Sequence, residues 1–474
     1  MRRTKIVATL GPATDEPGVI EGMVRAGLDV ARINFSHGTR DSQRKRVETV
    51  RAAARAAGRQ VGVLADLAGP KIRIESFRDG PAQLLEGAPF ALDTALDPQG
   101  GTSTEVGCAY KELPTDVHAG DTLLLADGQI VLEVEKVVGT RISTVVRSGG
   151  ELSNRKGVNR QGGGISAPAL TEKDLDDIRL AAELGIDYLA VSFARDADDM
   201  RRAQSELRRW RGEALVVAKI ERHEALDNLA GILSVTDVVM VARGDLGVEM
   251  GYAELTGLQK TIIRQSLERN RVVITATQMM ESMIQNPIPT RAEVSDVANA
   301  VLDGTDAVML SAETAAGKFP VKAVQAMADV IRGAEKYQLG TMRGMVRAEN
   351  EFGNSEEAIA MAVMYTANHM RVRAIVALTE SGMTPLWMSR IRSDMPIYAF
   401  TRHEATRRRV TLYRGVYAVP FDITGTESMY TAIFDRLLEL GLVDINDLVI
   451  LTKGELSGIS GGTNSMQILR VTKR

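Results

Sequence analysis

The 474 residues contain a single cysteine, Cys108. An internal disulfide is excluded, and so is a zinc site built from several thiolates, which suits a reducing compartment. No charge of one sign dominates: 58 basic against 61 acidic residues leave a formal net charge of −3. That balance gives no general reason to expect nucleic acid or an acidic membrane surface as partner. Long apolar runs are missing as well. The opening MRRTKIVATLGPATDE has arginines before an apolar run, but the run stops at Leu10, ahead of Gly11-Pro12. It is too short for the core of a secretory signal, and no other stretch approaches a membrane span. A soluble, cytoplasmic protein is expected. Also missing is G-x-x-x-x-G-K-[ST], so any nucleotide is held by something other than a P-loop. The 20 methionines show no metal-site pattern and read as core filler. No low-complexity segment and no short repeat beyond a strand–helix rhythm is evident.

What is present is core-forming material: 44% hydrophobic and 25% charged residues, enough for roughly two to four domains. Eight short apolar runs recur: KIVATLGP (5–12), VARINFSH (30–37), VGVLADLAGP (61–70), DYLAVSFA (187–194), ALVVAKIE (214–221), DVVMVARGD (237–245), RVVITATQMM (271–280) and AVMLSAETA (307–315). They are continuous rather than alternating, as parallel strands covered on both faces require. Helical patterns with recognisable ends lie between them. One closes on Gly27 and the next on Gly58, while TEKDLDDIRLAAELG opens on Thr171-x-x-Asp174, a capping-box arrangement, and ends at Gly185. Eight such units predict an α/β fold, a (β/α)8 TIM barrel over 1–69 and 165–340.

The rhythm breaks once, after the third run. Residues 70–164 carry short Val/Ile/Thr/Leu runs split by turns, with Asp127-Gly128 between two of them as a hairpin signal. They predict an inserted all-β lid domain bordering the barrel face where active sites form. From 341 to 474 helix and strand patterns alternate again, which predicts a separate α/β domain with an open, mainly parallel sheet. Arg407-Arg408-Arg409 in that region reads as a solvated helix face or subunit contact, and Trp210 and Trp387 as packed helical residues.

In such barrels, catalytic groups project from the C-terminal strand ends. The second run hands off to Arg32, Asn34, Ser36 and His37, and the third to Asp66, Lys71 and Arg73. The fifth delivers Lys219 and Glu221, the sixth Arg243 and Asp245, the seventh Thr277 and Gln278, and the eighth Ser311 and Glu313. Singly, each is as easily a helix cap or a solvated loop residue; together they describe one functional mouth. Glu221 and Asp245 are hard carboxylates on neighbouring strands, suited to Mg²⁺, which needs one or two of them plus substrate oxygens. Arg32, Lys219 and Arg73 suit a phosphoryl group in flight. Arg243-Gly244-Asp245 spells an adhesion tripeptide, yet it ends an apolar run; Gly244 permits close backbone approach, and amides opening the next helix suit a carboxylate.

VARINFSHG (30–38), DLAGPKIR (66–73), KGVNRQGGGISAPALTEKD (156–174), KIE (219–221), VARGDLGVE (241–249), ATQMMESM (276–283) and LSAETAAGKFP (310–320) resemble, in order, the signature segments of pyruvate kinase. The resemblance implies a barrel, a lid after its third strand, a C-terminal regulatory domain and a homotetramer. It implies Mg²⁺-dependent transfer of phosphate from phosphoenolpyruvate to ADP, giving pyruvate and ATP, with Mn²⁺ as an alternative metal. Glu221 and Asp245 match the metal ligands; Arg32, Lys219, Thr277 and the Gly244 and Asp245 amides match the substrate contacts. Asn34, His37, Arg73 and Lys156 match nucleotide contacts, and Thr277, Ser311 and Glu313 lie where the enolate is protonated. Asn34, Ser36, Asp66 and the Leu67 carbonyl match a K⁺ site, but Lys71 stands where K⁺-requiring members have Glu, so K⁺ is not expected to be required. Thr379, Ser381, Gly382 and Thr384 match a loop that holds a phosphorylated effector. Met383 takes a commonly basic position there, which leaves the effector's identity open. Ala68, Met280 and Arg160-Gln161 depart from the family pattern. The alternatives are another phosphoenolpyruvate/pyruvate barrel enzyme, or a catalytically silent ligand-binding regulator; ATP formation separates them.

Overall fold

The computed structural model describes residues 1–341, 352–422, 428–454 and 462–473. All eight apolar runs are strands: β1 (Lys5–Leu10), β2 (Val30–Asn34), β3 (Gly62–Asp66), β4 (Tyr188–Val191), β5 (Leu215–Ile220), β6 (Val238–Ala242), β7 (Val272–Ala276) and β8 (Ala307–Leu310). They form a closed barrel in sequence order, with β1 pairing in parallel with both β2 and β8. Every residue of β1, β3, β4, β6, β7 and β8 is buried, as strands covered on two faces must be. Two compact units share the chain. One takes Met1–Ala65, Leu184–Tyr188 and Ser266–Arg474; the other takes Asp66–Glu183 and Leu189–Gln265.

Helix ends follow the chemistry anticipated. Helix Val19–Ala26 closes on Gly27 at φ 125°, and Gly185 lies past helix Glu172–Leu184 at φ 57°. Thr171 N donates to Asp174 Oδ2 at 2.9 Å and Asp174 N to Thr171 Oγ1 at 3.2 Å, the reciprocal pair of a capping box.

Within the strand–helix rhythm lies a finer repeat, which spans two βα units. Asp29, Asp187, Asp237 and Asp306 each immediately precede an even-numbered strand. Each exchanges two hydrogen bonds with the start of the preceding odd strand. Its Oδ2 accepts from Ile6, Val63, Val216 or Val273 N at 2.8–2.9 Å, and its own N donates to that residue's carbonyl. The carboxylate thus satisfies a backbone donor at the strand's N-terminal edge. Arginines hold three of these aspartates: Arg2 and Arg59 on Asp29, Arg408 on Asp187, and Arg390 on Asp306.

Arg407-Arg408-Arg409 is therefore not a solvated face. All three are half-buried; Arg408 reaches Asp187 at 2.9 Å, and Arg407 donates to the Thr401 and Arg402 carbonyls. A charge run looks solvated in sequence until a buried carboxylate elsewhere in the chain claims it. Trp210 is also 41% exposed, under the guanidinium of Arg179 at 4.7 Å.

Within residues 70–164, six strands form one sheet in the order Val158–Arg160, Thr122–Leu125, Ile130–Val138, Arg141–Ser148, Pro89–Asp93, Glu105–Gly107. Thr122–Leu125 and Ile130–Val138 pair antiparallel around Asp127-Gly128, both at positive φ. Toward the C-terminus, β9 (Ala374–Leu378), β10 (Ile397–Thr401), β11 (Val416–Pro420), β12 (Leu448–Gly454) and β13 (Thr463–Arg470) order as β11-β10-β9-β12-β13. This sheet is parallel except for the edge strand β13, which runs antiparallel to β12.

Candidate active site

In the unit holding Asp66 and β5–β6, strand ends assemble a compact charged cluster. Asp66 ends β3 fully buried, and Lys219, next to last in β5, sits 3.3 Å from Asp66 Oδ1 and 2.9 Å from Glu221 Oε1. Lys219 Nζ also donates to Ser192 Oγ at 2.6 Å; Ser192 Oγ lies 2.8 Å from the Leu67 carbonyl. Glu221 Oε2 accepts from Phe193 N at 2.8 Å, with Phe193 at φ 55°. Asp245, in the first turn of helix Arg243–Met250, receives Lys71 Nζ at 3.1 Å. Lys71 thus sits on Asp245, while Asp66 is held by Lys219. Arg243 donates to Gln259, a structural contact.

Burial pushes the Glu221 carboxyl above its ordinary range; Lys219 opposes the rise, and the negative charges of Asp245 and Asp66 add to it. More negative charge collects here than the lysines fully offset. That fits a divalent cation. Among the described residues no three His, Cys, Asp or Glu side chains form a ready cage, and Mg²⁺ does not need one: two carboxylates suffice when a substrate supplies the remaining oxygens. A cleft beside the cluster is lined by Lys71, Phe193, Asp245, Arg222, Glu249 and Ile165, among others. Burial is the first cause that pushes Glu249 up to about 7. Arg73 and Lys156 lie on neighbouring segments at its margin: Arg73 bridges to Gly157, and Ile74 N donates to the Lys156 carbonyl.

In the other unit, Arg32 Nη1 donates to Thr9 Oγ1 at 2.8 Å, and Thr9 Oγ1 donates to the Leu310 carbonyl at 2.9 Å. Asn34 Oδ1 accepts from Ser36 N at 3.0 Å; Ser36 and His37 are exposed. Thr277 and Gln278 follow β7 at φ 70° and 51°. A β-branched residue there is strained by about 1–3 kcal/mol, a cost that concentrates at functional sites. Glu313 accepts from Met280 N at 3.1 Å and Ser311 N at 2.6 Å, bracing two strand-end loops, and burial raises its pKa.

In the C-terminal sheet the order β11-β10-β9-β12-β13 reverses direction between β9 and β12. Ligands of open parallel sheets bind at such a switch point. The Thr379–Thr384 loop leaves β9 there: Gly382, at φ 89°, donates to Thr379 Oγ1 at 2.9 Å, and Met383 N approaches Ser381 Oγ at 3.4 Å. Thr384 is different, since its hydroxyl is buried against Thr463 at 2.7 Å.

Residues 1–324 match the pyruvate kinase barrel domain, and residues 357–469 match the pyruvate kinase alpha/beta domain. The chain belongs to the pyruvate kinase family. It is 51% identical to pyruvate kinase II of Salmonella typhimurium over 477 residues, covering 99% of both chains. It is 51% identical to the pyruvate kinase of Haemophilus influenzae over 96% of each. That of Buchnera aphidicola subsp. Schizaphis graminum is 49% identical, over 100% of this chain and 99% of its own. Members of this family transfer phosphate from phosphoenolpyruvate to ADP, and nothing in the comparisons favours another phosphoenolpyruvate barrel or a silent regulator. Two site residues went unanticipated. Ser192 and Thr9 lie at strand ends where one hydroxyl among apolar neighbours looks like core.

Proposed function

We propose that the chain catalyses phosphoryl transfer from phosphoenolpyruvate to ADP with the strand-end groups above, and that Glu221 and Asp245 hold the divalent cation, Mg²⁺ or Mn²⁺. The observation that carries this is Lys219, a buried ammonium held between Asp66, Glu221 and Ser192. Held by Glu221 and Asp245, the metal would supply positive charge to offset the substrate's negative charge.

The chain's own groups do the rest. The Gly244 and Asp245 amides, at the start of helix Arg243–Met250, orient the substrate carboxylate. Arg32 clamps the phosphoryl group, preset by Thr9. Lys219 lies where charge develops: the bond from phosphorus to the enolic oxygen breaks, one to the terminal oxygen of ADP forms, and the enolate left behind keeps the electron pair. Its CH₂ carbon then takes a proton through Thr277, Ser311 and Glu313. Glu313 serves mainly by holding Ser311, since both its oxygens already accept backbone N–H groups. Asn34, His37, Arg73 and Lys156 receive the nucleotide. Asn34, Ser36, Asp66 and the Leu67 carbonyl match the K⁺ site of other members; here Lys71, on Asp245, supplies a fixed positive charge of this chain's own, so that K⁺ is dispensable.

The same reading divides the chain into a catalytic barrel (1–69 and 165–340), a lid (70–164) and a regulatory domain (341–474), in a cytoplasmic homotetramer without nucleic-acid or membrane partners. No helix among the described residues is long and apolar enough to cross a membrane. A phosphorylated effector is assigned to Thr379, Ser381, Gly382 and Thr384, supported by the switch point between β9 and β12. ATP formation from phosphoenolpyruvate and ADP by the purified chain with Mg²⁺ tests the reaction; its absence overturns the reading.

A further inference from the structure

The loop that carries Glu221 also fastens the chain where it leaves the inserted β sheet. Gly162, Gly163 and Gly164 follow strand Val158–Arg160 at φ 80°, 79° and 93°. Three successive left-handed residues are tolerable because none has a Cβ. A Cβ on Gly163 would lie 3.0 Å from both Glu224 Oε1 and His223 Cβ, so this strap is pressed against the loop. Three polar links hold it. Gly164 N donates to Glu224 Oε1 at 2.6 Å, Arg222 Nη2 donates to the Ile165 carbonyl, and Gly162 N donates to the Glu249 carbonyl at 3.1 Å.

Arg222 is a costly group to bury. Its side chain is 4% exposed, and Nε lies 3.2 Å from Glu224 Oε2. Its own anchorage is the metal-binding framework: Arg222 directly follows Glu221, and Glu249 lies one helical turn beyond Asp245 in helix Arg243–Met250. Glu249 Oε2 accepts from His223 N at 3.0 Å and closes the circuit.

We infer that Arg222, Glu224 and Glu249 form a hinge clamp, a set of positioning residues that makes the seating of the strap depend on how Glu221 and Asp245 are held. The inference rests on the phosphotransfer reading above. A cation held by both carboxylates would fix the loop and the helix relative to each other, and with them the three attachment points. The strap follows directly on the segment bearing Lys156, so the nucleotide side feels the change.

Hydrogen–deuterium exchange of the full, metal-free chain, with and without Mn²⁺ and without substrate, tests this. In the unmodified chain Mn²⁺ should slow exchange across 160–166. Arg222→Ala should speed exchange there about tenfold, the equivalent of one charge-assisted hydrogen bond, and abolish the Mn²⁺ response. Strands Ile130–Val138 and Arg141–Ser148 should be unaffected. Arg222→Lys, which keeps a donor for the Ile165 carbonyl, should recover part of the protection. In turnover, Arg222→Ala should raise KM for ADP more than it lowers kcat. Glu224→Gln should give the same changes more weakly, and it carries the test if Arg222→Ala does not fold. Unaltered exchange in the variant measured, or a surviving Mn²⁺ response in it, overturns the clamp. An inactive chain that keeps its Mn²⁺ response counts against the phosphotransfer reading alone.

Discussion

Arg390 and Asp306 meet as a two-armed ion pair in the interior: Nη1 donates to Oδ2 at 2.8 Å, Nη2 donates to Oδ1, and each side chain is 1% exposed. Removing one partner of such a pair strands a buried charge, at about 3–5 kcal/mol. Arg390→Met should therefore lower the apparent melting temperature by several degrees. Adding Asp306→Asn should recover much of that loss, because neither charge is then buried alone. A double variant that melts no higher than Arg390→Met would argue that packing, not charge, holds this place.

Glu221→Gln and Asp245→Asn should each remove nearly all turnover, at least about a hundredfold if each carboxylate holds the cation in the transition state. Stability should move the other way at Glu221, where burial and two neighbouring carboxylates disfavour the charge. The metal-free Glu221→Gln chain is expected to melt at or above the unmodified temperature. Near-normal turnover in either variant rules out the metal assignment.

Lys71 should free the reaction from K⁺. Its ammonium, 3.1 Å from Asp245 Oδ1, is a fixed positive charge that offsets the site's carboxylates without a monovalent ion. Full activity is expected with Mg²⁺ in K⁺-free buffer, and partial K⁺ dependence in Lys71→Glu. Many-fold activation of the unmodified chain by K⁺ at constant ionic strength would be the contrary result.

Glu249 should leave a signature in the pH dependence of stability. Burial comes first among the causes that raise it from 4.5 to about 7; Glu224 and Asp245 add to the rise, and the His223 amide and Arg222 oppose it. Between those values the folded chain keeps a proton that the unfolded chain has lost. Stability therefore falls as pH rises through that window, by up to about 3 kcal/mol, and levels off above it. Glu249→Gln should remove this slope in melts taken across the same range. A parallel slope in the variant would assign the effect elsewhere.

The Thr379–Thr384 loop should answer to phosphate-bearing metabolites. A panel of sugar phosphates and AMP is expected to contain at least one that shifts the phosphoenolpyruvate saturation curve, with the shift lost in Ser381→Ala. If no compound moves the curve, the loop is an ordinary strand–helix turn.

The strand-end residues Lys219, Glu221 and Asp245 are legible in sequence because an apolar run stops abruptly at each, and burial leaves few other reasons for a charge there. Thr171 and Asp174 are legible because a cap is a local contact. Arg408 is not: its partner Asp187 lies 221 residues away, and nothing local distinguishes it from a solvated arginine. Ser192 and Thr9 fail for the opposite reason, being small and flanked by core. The aspartate repeat hides because its four copies are unevenly spaced, although an aspartate directly before an apolar run, after Leu28, Ile186, Thr236 or Thr305, was there to be seen.

That uneven spacing also measures what the insertion does to the chain's entropy. The four aspartate clasps close over 23, 124, 21 and 33 residues. The long one, Val63 to Asp187, spans the inserted sheet. Loop-closure entropy grows only with the logarithm of length, so closing 124 residues rather than 21 costs at most about 1.5 kcal/mol more. A sheet that folds on its own shortens the effective loop and reduces that further. A whole sheet can thus enter between β3 and β4 for about the free energy of one charge-assisted hydrogen bond.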